Sequence, residues 1–159
     1  MSARDIVVRP ARPDDAGAFV AILRDTFDST WRPQVTPEAV ARFQADDPPT
    51  DYVGERGLEF WAAERDGEVV GLVDWEGDFV NALHVCRDHA RTGVGRALMD
   101  VAEAAIAASG HPAARLETDT FNAASQAFYR ARGYVETDRY PDTQWASGLT
   151  TLLLVKQLS

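Results

Sequence analysis

Cysteine and long apolar runs are scarce in this sequence. The single cysteine, Cys86, excludes an internal disulfide and is typical of a reducing compartment, which predicts a cytoplasmic location. Cys86 lies between His84 and His89, but a fourth ligand at zinc spacing is lacking, so no metal is predicted. No run is long and apolar enough to cross a membrane, and the first five residues are not followed by the apolar core of a signal peptide. No membrane partner is expected.

Basic residues are also fewer than acidic residues. Lys and Arg number 16 against 25 Asp and Glu, which gives a formal net charge of −9. An acidic surface argues against binding of nucleic acid or of anionic membranes, and it is compatible with a cationic partner such as an amine. The 159 residues, 45% of them apolar and 26% charged, predict a single folded domain over residues 1–159.

Hydrophobic periodicity and turn residues predict the element order β-α-α-β-β-β-α-β-α-β-β. Strands are expected at residues 6–8, 58–64, 69–75, 79–85 and 149–155. A first helix is expected from Pro13, a second from Thr36 to a stop at Asp46-Asp47-Pro48-Pro49, and a third from Val94. The expected core stripe of the first helix contains Ala16, Phe19, Val20, Leu23 and Phe27.

A glycine turn follows the apolar run at residues 79–85. Gly93 and Gly95 stand where a polar loop opens into a helical pattern, so unpaired amides and the helix dipole are expected to favour an anion there. Three arginines, Arg87, Arg91 and Arg96, fall close to this turn in an otherwise acidic chain. The turn lacks the Lys and Ser/Thr of a nucleotide P-loop and the third glycine of a dinucleotide fingerprint. A tightly packed, solvated turn is the alternative interpretation.

A second pattern follows the strand-like residues 116–121. Asn122 is a suitable helix N-cap with Ser125 at the third helical position, and Gly133 suits the position just after the helix. Tyr129 is expected at the edge of the apolar stripe, with its ring packed and its hydroxyl free to reach elsewhere. That stripe is expected to contain Ala124, Ala127, Phe128 and Ala131.

Together the two patterns resemble the GCN5-related N-acetyltransferase (GNAT) family. The matching residues are Gly93-x-Gly95 after the fourth strand and, after the fifth, Asn122, Tyr129, Gly133 and Tyr134. Ala90 departs from the Gln or Arg that usually opens the first motif, and Arg91 follows one place later. The resemblance extends from about Ile6 to Val155. It implies an α/β (α+β) fold with a central mixed, mostly antiparallel twisted sheet of six to seven strands flanked by about four helices.

The resemblance also implies a reaction. In this family a primary amine of a small molecule or peptide attacks the thioester of acetyl-CoA directly, so acetyl-CoA is expected as cosubstrate. Tyr129 takes the position of the general acid, and Asn122 that of a cofactor contact. The strand residues Leu83, His84 and Val85 are expected to pair with the pantetheine arm. The diphosphate is expected on the main chain of Arg91, Thr92, Gly93, Val94, Gly95 and Arg96.

The residue that accepts the amine proton is left open by the sequence. Glu117 is the first candidate, because some family members use a glutamate in this context; an exposed strand carboxylate is the alternative. His84 is a rival because its ordinary pKa lies near neutrality. Asp119 is a third candidate.

The acceptor side of the site is the least determined. Trp31 and Trp145 can stack on a substrate and Asp28 can pair with a cation, which makes these three the candidate substrate residues; closure of the core beneath loops is the alternative. Phe27 and Tyr52 belong to the same region. A non-catalytic acyl-CoA-binding sensor or scaffold of the same fold is the alternative function. A homodimer paired through strand edges is compatible with the family.

Overall fold

The structure is a computed structural model that describes residues 5–142 and 149–158. Within those ranges seven strands are formed: β1 (Val7–Pro10), β2 (Trp61–Arg65), β3 (Glu68–Glu76), β4 (Phe79–Val85), β5 (Ala113–Asp119), β6 (Val135–Pro141) and β7 (Thr150–Gln157). The α-helices of the same ranges are α1 (Ala16–Thr26), α2 (Pro37–Asp46), α3 (Pro48–Arg56), α4 (Val94–Ala108) and α5 (Ala123–Ala131).

The strands form a mixed sheet in the order β1-β2-β3-β4-β5-β7-β6. The pairs β1–β2, β2–β3, β5–β7 and β6–β7 are antiparallel. β4 pairs with β5 in parallel, Phe79 with Arg115 and Val80 with Leu116. The predicted α/β class and the mixed, mostly antiparallel sheet are therefore confirmed, with five α-helices in the described residues where about four were expected.

The additional helix is α3, and it begins at the prolines where the second predicted helix was expected to end. α2 ends at Asp46, and Asp47 adopts a left-handed conformation with φ of 49°. Pro48 and Pro49 then occupy the first turn of α3. Proline is tolerated there because its missing N–H would have no partner inside the helix. The proline pair ends one helix and starts the next.

The remaining boundaries differ by a few residues from the prediction. β1 begins at Val7, β2 begins only after a 3₁₀ turn at Gly57–Glu59, and β7 continues to Gln157. A 3₁₀ turn at Pro13–Asp15 precedes α1, which runs on as a π-helix at Phe27–Trp31.

The core stripe of α1 is partly as expected. Phe19 and Leu23 are buried, and so is Ile22, which the predicted stripe omitted. Ala16 is exposed, contrary to the prediction, because it lies in the first turn of the helix, directly after the 3₁₀ turn.

Contacts within the chain cluster into two units. The first contains the described residues up to Asp74 together with Ala82–Ala102, and the second contains Trp75–Asn81 and the described residues from Glu103 onward. The expectation of one domain over residues 1–159 stays a prediction. The first unit has an apolar cluster made of Phe19, Ile22, Leu23, Val53, Phe60, Ala62 and Leu72.

The N-terminal half of α4 is packed tightly inside the first unit. Val94 and Leu98 are fully buried. A Cβ placed on Gly71 of β3 would lie 2.9 Å from Val94 Cγ1 and 3.0 Å from Leu98 Cδ1, so only glycine allows this close approach. Leu98, which stands where a dinucleotide-binding loop has its third glycine, therefore serves in helix packing.

Candidate functional site

The turn between β4 and α4 presents a row of main-chain amides. After the 3₁₀ turn Arg87–His89, Arg91 adopts φ of 64° and Gly93 φ of 96°, and α4 then begins at Val94. In the described part of the chain, the main-chain hydrogen bonds outside regular elements do not use the amides of residues 91–96 as donors; the first amide bonded back to the turn is that of Ala97, 3.1 Å from the Gly93 carbonyl. Free amides at the N-terminus of a 15-residue helix suit an anion.

The three arginines near this turn are not equivalent. Asp25 of α1 accepts a hydrogen bond from the Arg87 amide at 2.9 Å and lies 3.4 Å from its guanidinium, so Arg87 has an internal partner. Arg91 and Arg96 are exposed, and neither has an ion pair among the described residues. The positive charge left for an external anion therefore comes from Arg91 and Arg96.

A fourth arginine, Arg65 at the end of β2, reaches the same turn. Its guanidinium donates to the Thr92 hydroxyl and to the Thr92 carbonyl. This contact could not be predicted from the sequence, because the two residues are 27 positions apart and the Asp66-Gly67 turn that follows Arg65 indicates only a hairpin.

His84 of β4 does not have the near-neutral pKa that made it a candidate base. Burial lowers its pKa to about 4, so the imidazole is neutral at physiological pH and only weakly basic. Its Nδ1 atom is buried, and within the described residues it has no hydrogen-bond partner. Leu83 and Val85 on either side are half-buried.

Asn122 caps α5 as predicted. Its side-chain oxygen accepts a hydrogen bond from the Ser125 amide at 3.1 Å. Thr118 of β5 lies 2.8 Å from Ser125, hydroxyl to hydroxyl, which ties the first turn of the helix to the neighbouring strand. The start of α5 is therefore fixed in two ways.

The predicted apolar stripe of α5 is wrong. Ala124, Ala127 and Ala131 are exposed and Phe128 is half-buried, whereas Tyr129, placed at the stripe's edge by the sequence, is the buried residue of this helix. Small alanines gain little from burial, so the large tyrosine ring decides which side of the helix faces inward.

Tyr129 combines a buried ring with an unpaired hydroxyl. The side chain is 8% exposed, its ring lies edge-on to Phe128 and Tyr134, and within the described residues its hydroxyl has no hydrogen-bond partner. Burial raises the pKa of Tyr129 above the ordinary value of 10, so the phenol is protonated at physiological pH. Such a hydroxyl can donate a proton but does not act as a base.

A buried charged network holds the neighbour of Tyr129 in place. Glu103 of α4 accepts hydrogen bonds from the Tyr134 hydroxyl at 2.9 Å, from Lys156 of β7 at 2.6 Å and from Arg132 at 3.1 Å. Burial alone would raise the pKa of Glu103, but these donors bring it below the ordinary value. Tyr134, against which the Tyr129 ring packs, therefore binds a carboxylate that Arg132 and Lys156 also hold in place.

Two carboxylates occupy the same face of β5 in different environments. Glu117 is exposed and accepts a hydrogen bond from the Tyr140 hydroxyl of β6. Asp119 is only 7% exposed, and its carboxylate has no hydrogen bond among the described residues. Burial, together with the charges of Asp142 and Glu117, raises the pKa of Asp119 to about 6.

The candidate acceptor residues that the structure describes lie in different surroundings. Asp28 lies on the π-helix, 3.5 Å from Arg32, and lines an open depression that also contains Arg24, Phe43, Gln44 and Asp47. Trp31 ends the same π-helix and is half-buried. Trp145 lies outside the described residues. Tyr52 donates to the buried Asp74 at 2.5 Å, so this aromatic ring serves the core.

The candidate residues fall into two groups. The turn at 91–96, the β4 residues 83–85 and Arg65 belong to the first unit, and Asn122, Tyr129, Glu117 and Asp119 belong to the second. No group of three or more His, Cys, Asp or Glu side chains among residues 5–142 and 149–158 is arranged to hold a metal ion. No helix in the same ranges is long and apolar enough to span a bilayer.

Comparison with known proteins identifies the family. A family model described as the acetyltransferase (GNAT) family matches residues 19–134, which include both motifs. The chain belongs to the GNAT family. Among curated GNAT relatives, the peptidyl-lysine N-acetyltransferase YiaC of Escherichia coli K12 is 35% identical over 75 residues. That match covers 46% of this chain and 48% of YiaC, so it spans about half of each protein.

Solved GNAT structures agree with the fold over nearly the whole chain. A GCN5-related N-acetyltransferase from Rhodopseudomonas palustris has a TM-score of 0.80 at 25% identity, covering 96% of this chain and 95% of that one. The PaiA N-acetyltransferase of Thermoplasma acidophilum, solved with coenzyme A, has a TM-score of 0.75 at 16% identity, covering 96% and 98%. YncA of Salmonella typhimurium, solved with acetyl-CoA, has a TM-score of 0.72 at 19% identity, covering 98% and 95%.

Proposed function

We propose that this GNAT protein transfers an acetyl group from acetyl-CoA to a primary amine by direct attack in a ternary complex. The observation that carries the proposal is the turn at residues 91–96. Its amides donate to no main-chain acceptor among the described residues, and Arg91 and Arg96 have no ion pair there, so that together with the helix N-terminus they suit a diphosphate. Acetyl-CoA supplies the acetyl group as an activated thioester. Leu83, His84 and Val85 are the proposed contacts along the pantetheine arm, and Asn122 is a further proposed contact with the cofactor.

Tyr129 is the proposed general acid. Its hydroxyl is protonated and free of any partner within the described residues, so it is available to protonate the departing thiolate. The ring packs edge-on against the ring of Tyr134, which limits how far the hydroxyl can move.

Glu117 is the proposed proton acceptor for the ammonium group of the acceptor, and Asp119 is the alternative on the same face of β5. The Tyr140 hydroxyl donates a hydrogen bond to Glu117 and orients its carboxylate. Asp119 has the pKa, about 6, that is better suited to a base near neutrality. If Asp119 is the base, the acid limb of the pH–rate profile falls near pH 6.

The acceptor is proposed to be a small-molecule or peptide amine, with Asp28, Trp31 and Trp145 as its contacts. The name of the Escherichia coli relative gives a peptide lysine as the acceptor of that protein. The acidic net charge of −9 is compatible with a cationic acceptor and not with nucleic acid, and the single cysteine supports a cytoplasmic location. We also propose a homodimer, because members of the family often pair through strand edges.

The experiment that tests the proposal is a panel of amines, including a lysine peptide, a polyamine, an aminoglycoside and free amino acids, assayed for release of free CoA. We expect turnover with at least one amine and a CoA-dependent rise in melting temperature. Binding of CoA without turnover on any amine would favour the non-catalytic acyl-CoA-binding alternative. Absence of both would contradict the proposal.

A further inference from the structure

Arg65 connects the β2–β3 hairpin to the turn between β4 and α4. It is the last residue of β2, and its side chain is half-buried. One guanidinium nitrogen, Nη1, lies 2.9 Å from the Thr92 hydroxyl and 3.1 Å from His89 Nδ1, and the other, Nη2, donates to the Thr92 carbonyl at 3.2 Å. A single side chain thus contacts three atoms of His89 and Thr92, at the start of the turn that contains the amides of residues 91–96.

The donors and acceptors of this contact fit together. Arginine only donates, so His89 Nδ1 must be the acceptor and its ring proton must lie on Nε2. The Thr92 hydroxyl donates to the His89 carbonyl at 2.5 Å, which leaves its lone pairs for Arg65. The planar guanidinium therefore fixes the orientation of both residues, which an ammonium group could not do.

Two features show that the contact is not kept for stability alone. Arg65 Nε is buried and, among the described residues, has no partner, which costs free energy. Arg91 has a left-handed φ of 64°, a conformation that is unfavourable for a residue other than glycine. Strain of this kind persists only where the surroundings enforce it, and Arg65 binds the residue next to it.

We propose that Arg65 is a positioning residue that holds residues 89–92 in the conformation in which the amides of residues 91–96 receive the diphosphate. This inference rests on the function proposed above. Arg65 acts through Thr92 and His89, by fixing the main chain.

The test is calorimetric titration of the full-length protein and its variants with CoA and with 3′-dephospho-CoA, both of which contain the diphosphate. We expect Arg65→Ala to weaken both ligands at least about tenfold, as loss of hydrogen bonds to a charged donor does. Arg65→Lys, which keeps the charge but not the planar group, should recover only part of the affinity. Arg139→Ala, which removes an exposed arginine paired with Glu136 on β6, is the matched control and should bind as wild type.

A second variant keeps the test decisive if Arg65→Ala folds poorly. Thr92→Val retains Arg65 but removes the hydroxyl that it contacts. We expect it to weaken CoA and 3′-dephospho-CoA alike, and by less than Arg65→Ala, because the contacts of Arg65 with His89 and with the Thr92 carbonyl remain. Where both single variants fold, the double variant should bind no more weakly than the weaker single variant. Additive losses, full recovery in Arg65→Lys, or loss confined to CoA would each overturn the positioning role. If the wild type binds CoA and Arg65→Ala binds it with the same affinity, this inference alone is overturned. If the wild type does not bind CoA, the proposed function itself is contradicted.

Discussion

Tyr129 has a buried ring and a protonated hydroxyl without a partner in the described residues. If this hydroxyl protonates the leaving thiolate, Tyr129→Phe should reduce the rate of acetyl transfer by about 100-fold or more and leave CoA affinity nearly unchanged. Steady-state kinetics and calorimetry measure the two effects separately. Tyr134→Phe is the control, because it removes a neighbouring hydroxyl that binds Glu103; it should lower stability but not the saturated rate. Equal rates in Tyr129→Phe and wild type would remove Tyr129 from its role.

The ionised Asp119 carboxylate is expected to destabilise the folded protein at neutral pH. Because its pKa is raised from 3.8 to about 6 by folding, the folded state holds more protons between these values, and the free energy of unfolding falls as the pH rises through them. Asp119→Asn should therefore increase the free energy of unfolding at pH 8 by about 1–3 kcal/mol and change it little at pH 4.

Urea unfolding of both proteins across this pH range measures the difference. Glu136→Gln serves as control, since this half-buried carboxylate is paired with Arg139 and its pKa is lowered, so that neutralisation gives no gain in stability. A destabilised Asp119→Asn protein at pH 8 would show that the carboxylate is not a strained, unpaired charge.

At the scale of elements, the turn before α4 depends on Gly93. Its φ of 96° is unfavourable for any L side chain, so Gly93→Val should distort the turn and displace the amides that follow it. We expect the CoA-dependent rise in melting temperature to be lost. Gly110→Val is matched in strain, with φ of 95° and open space around a new Cβ, and it should keep the rise. An equal rise in both variants would mean that the phosphate binds elsewhere.

Elements with a strong local signal could be predicted from the sequence. The glycine turn, the Asn122 cap and β4 were predicted correctly because each depends on residues adjacent in the chain. α3 was missed because the same Pro48-Pro49 pair ends one helix and begins another. The buried side of α5 was wrong because alanines mark a face only weakly, and the packing of Tyr129 overrides them.

At the scale of the whole molecule, local charge matters more than net charge. A chain with a net charge of −9 repels a polyanionic ligand at long range, but salt screens that repulsion beyond about 10 Å. Close to the turn, Arg91 and Arg96 have no ion pair among the described residues, and their charge is available there. The sequence could identify these arginines, but not that Arg87 is paired with Asp25, a contact 62 residues apart.

The parts of the site that could not be predicted are those made by distant residues. The contact of Arg65 with Thr92 and the raised pKa of Asp119 depend on how strands bring separate segments together. The acceptor residues are the least determined, since they come from the π-helix at Phe27–Trp31 and from Trp145, which lies outside the described residues.

The most direct measurement of the central claim is a calorimetric titration of the wild-type protein with coenzyme A. The account predicts saturable binding of one CoA per chain, with inorganic pyrophosphate competing for the same site, because the amides of residues 91–96 receive the diphosphate. Absence of binding by both CoA and acetyl-CoA would contradict the account.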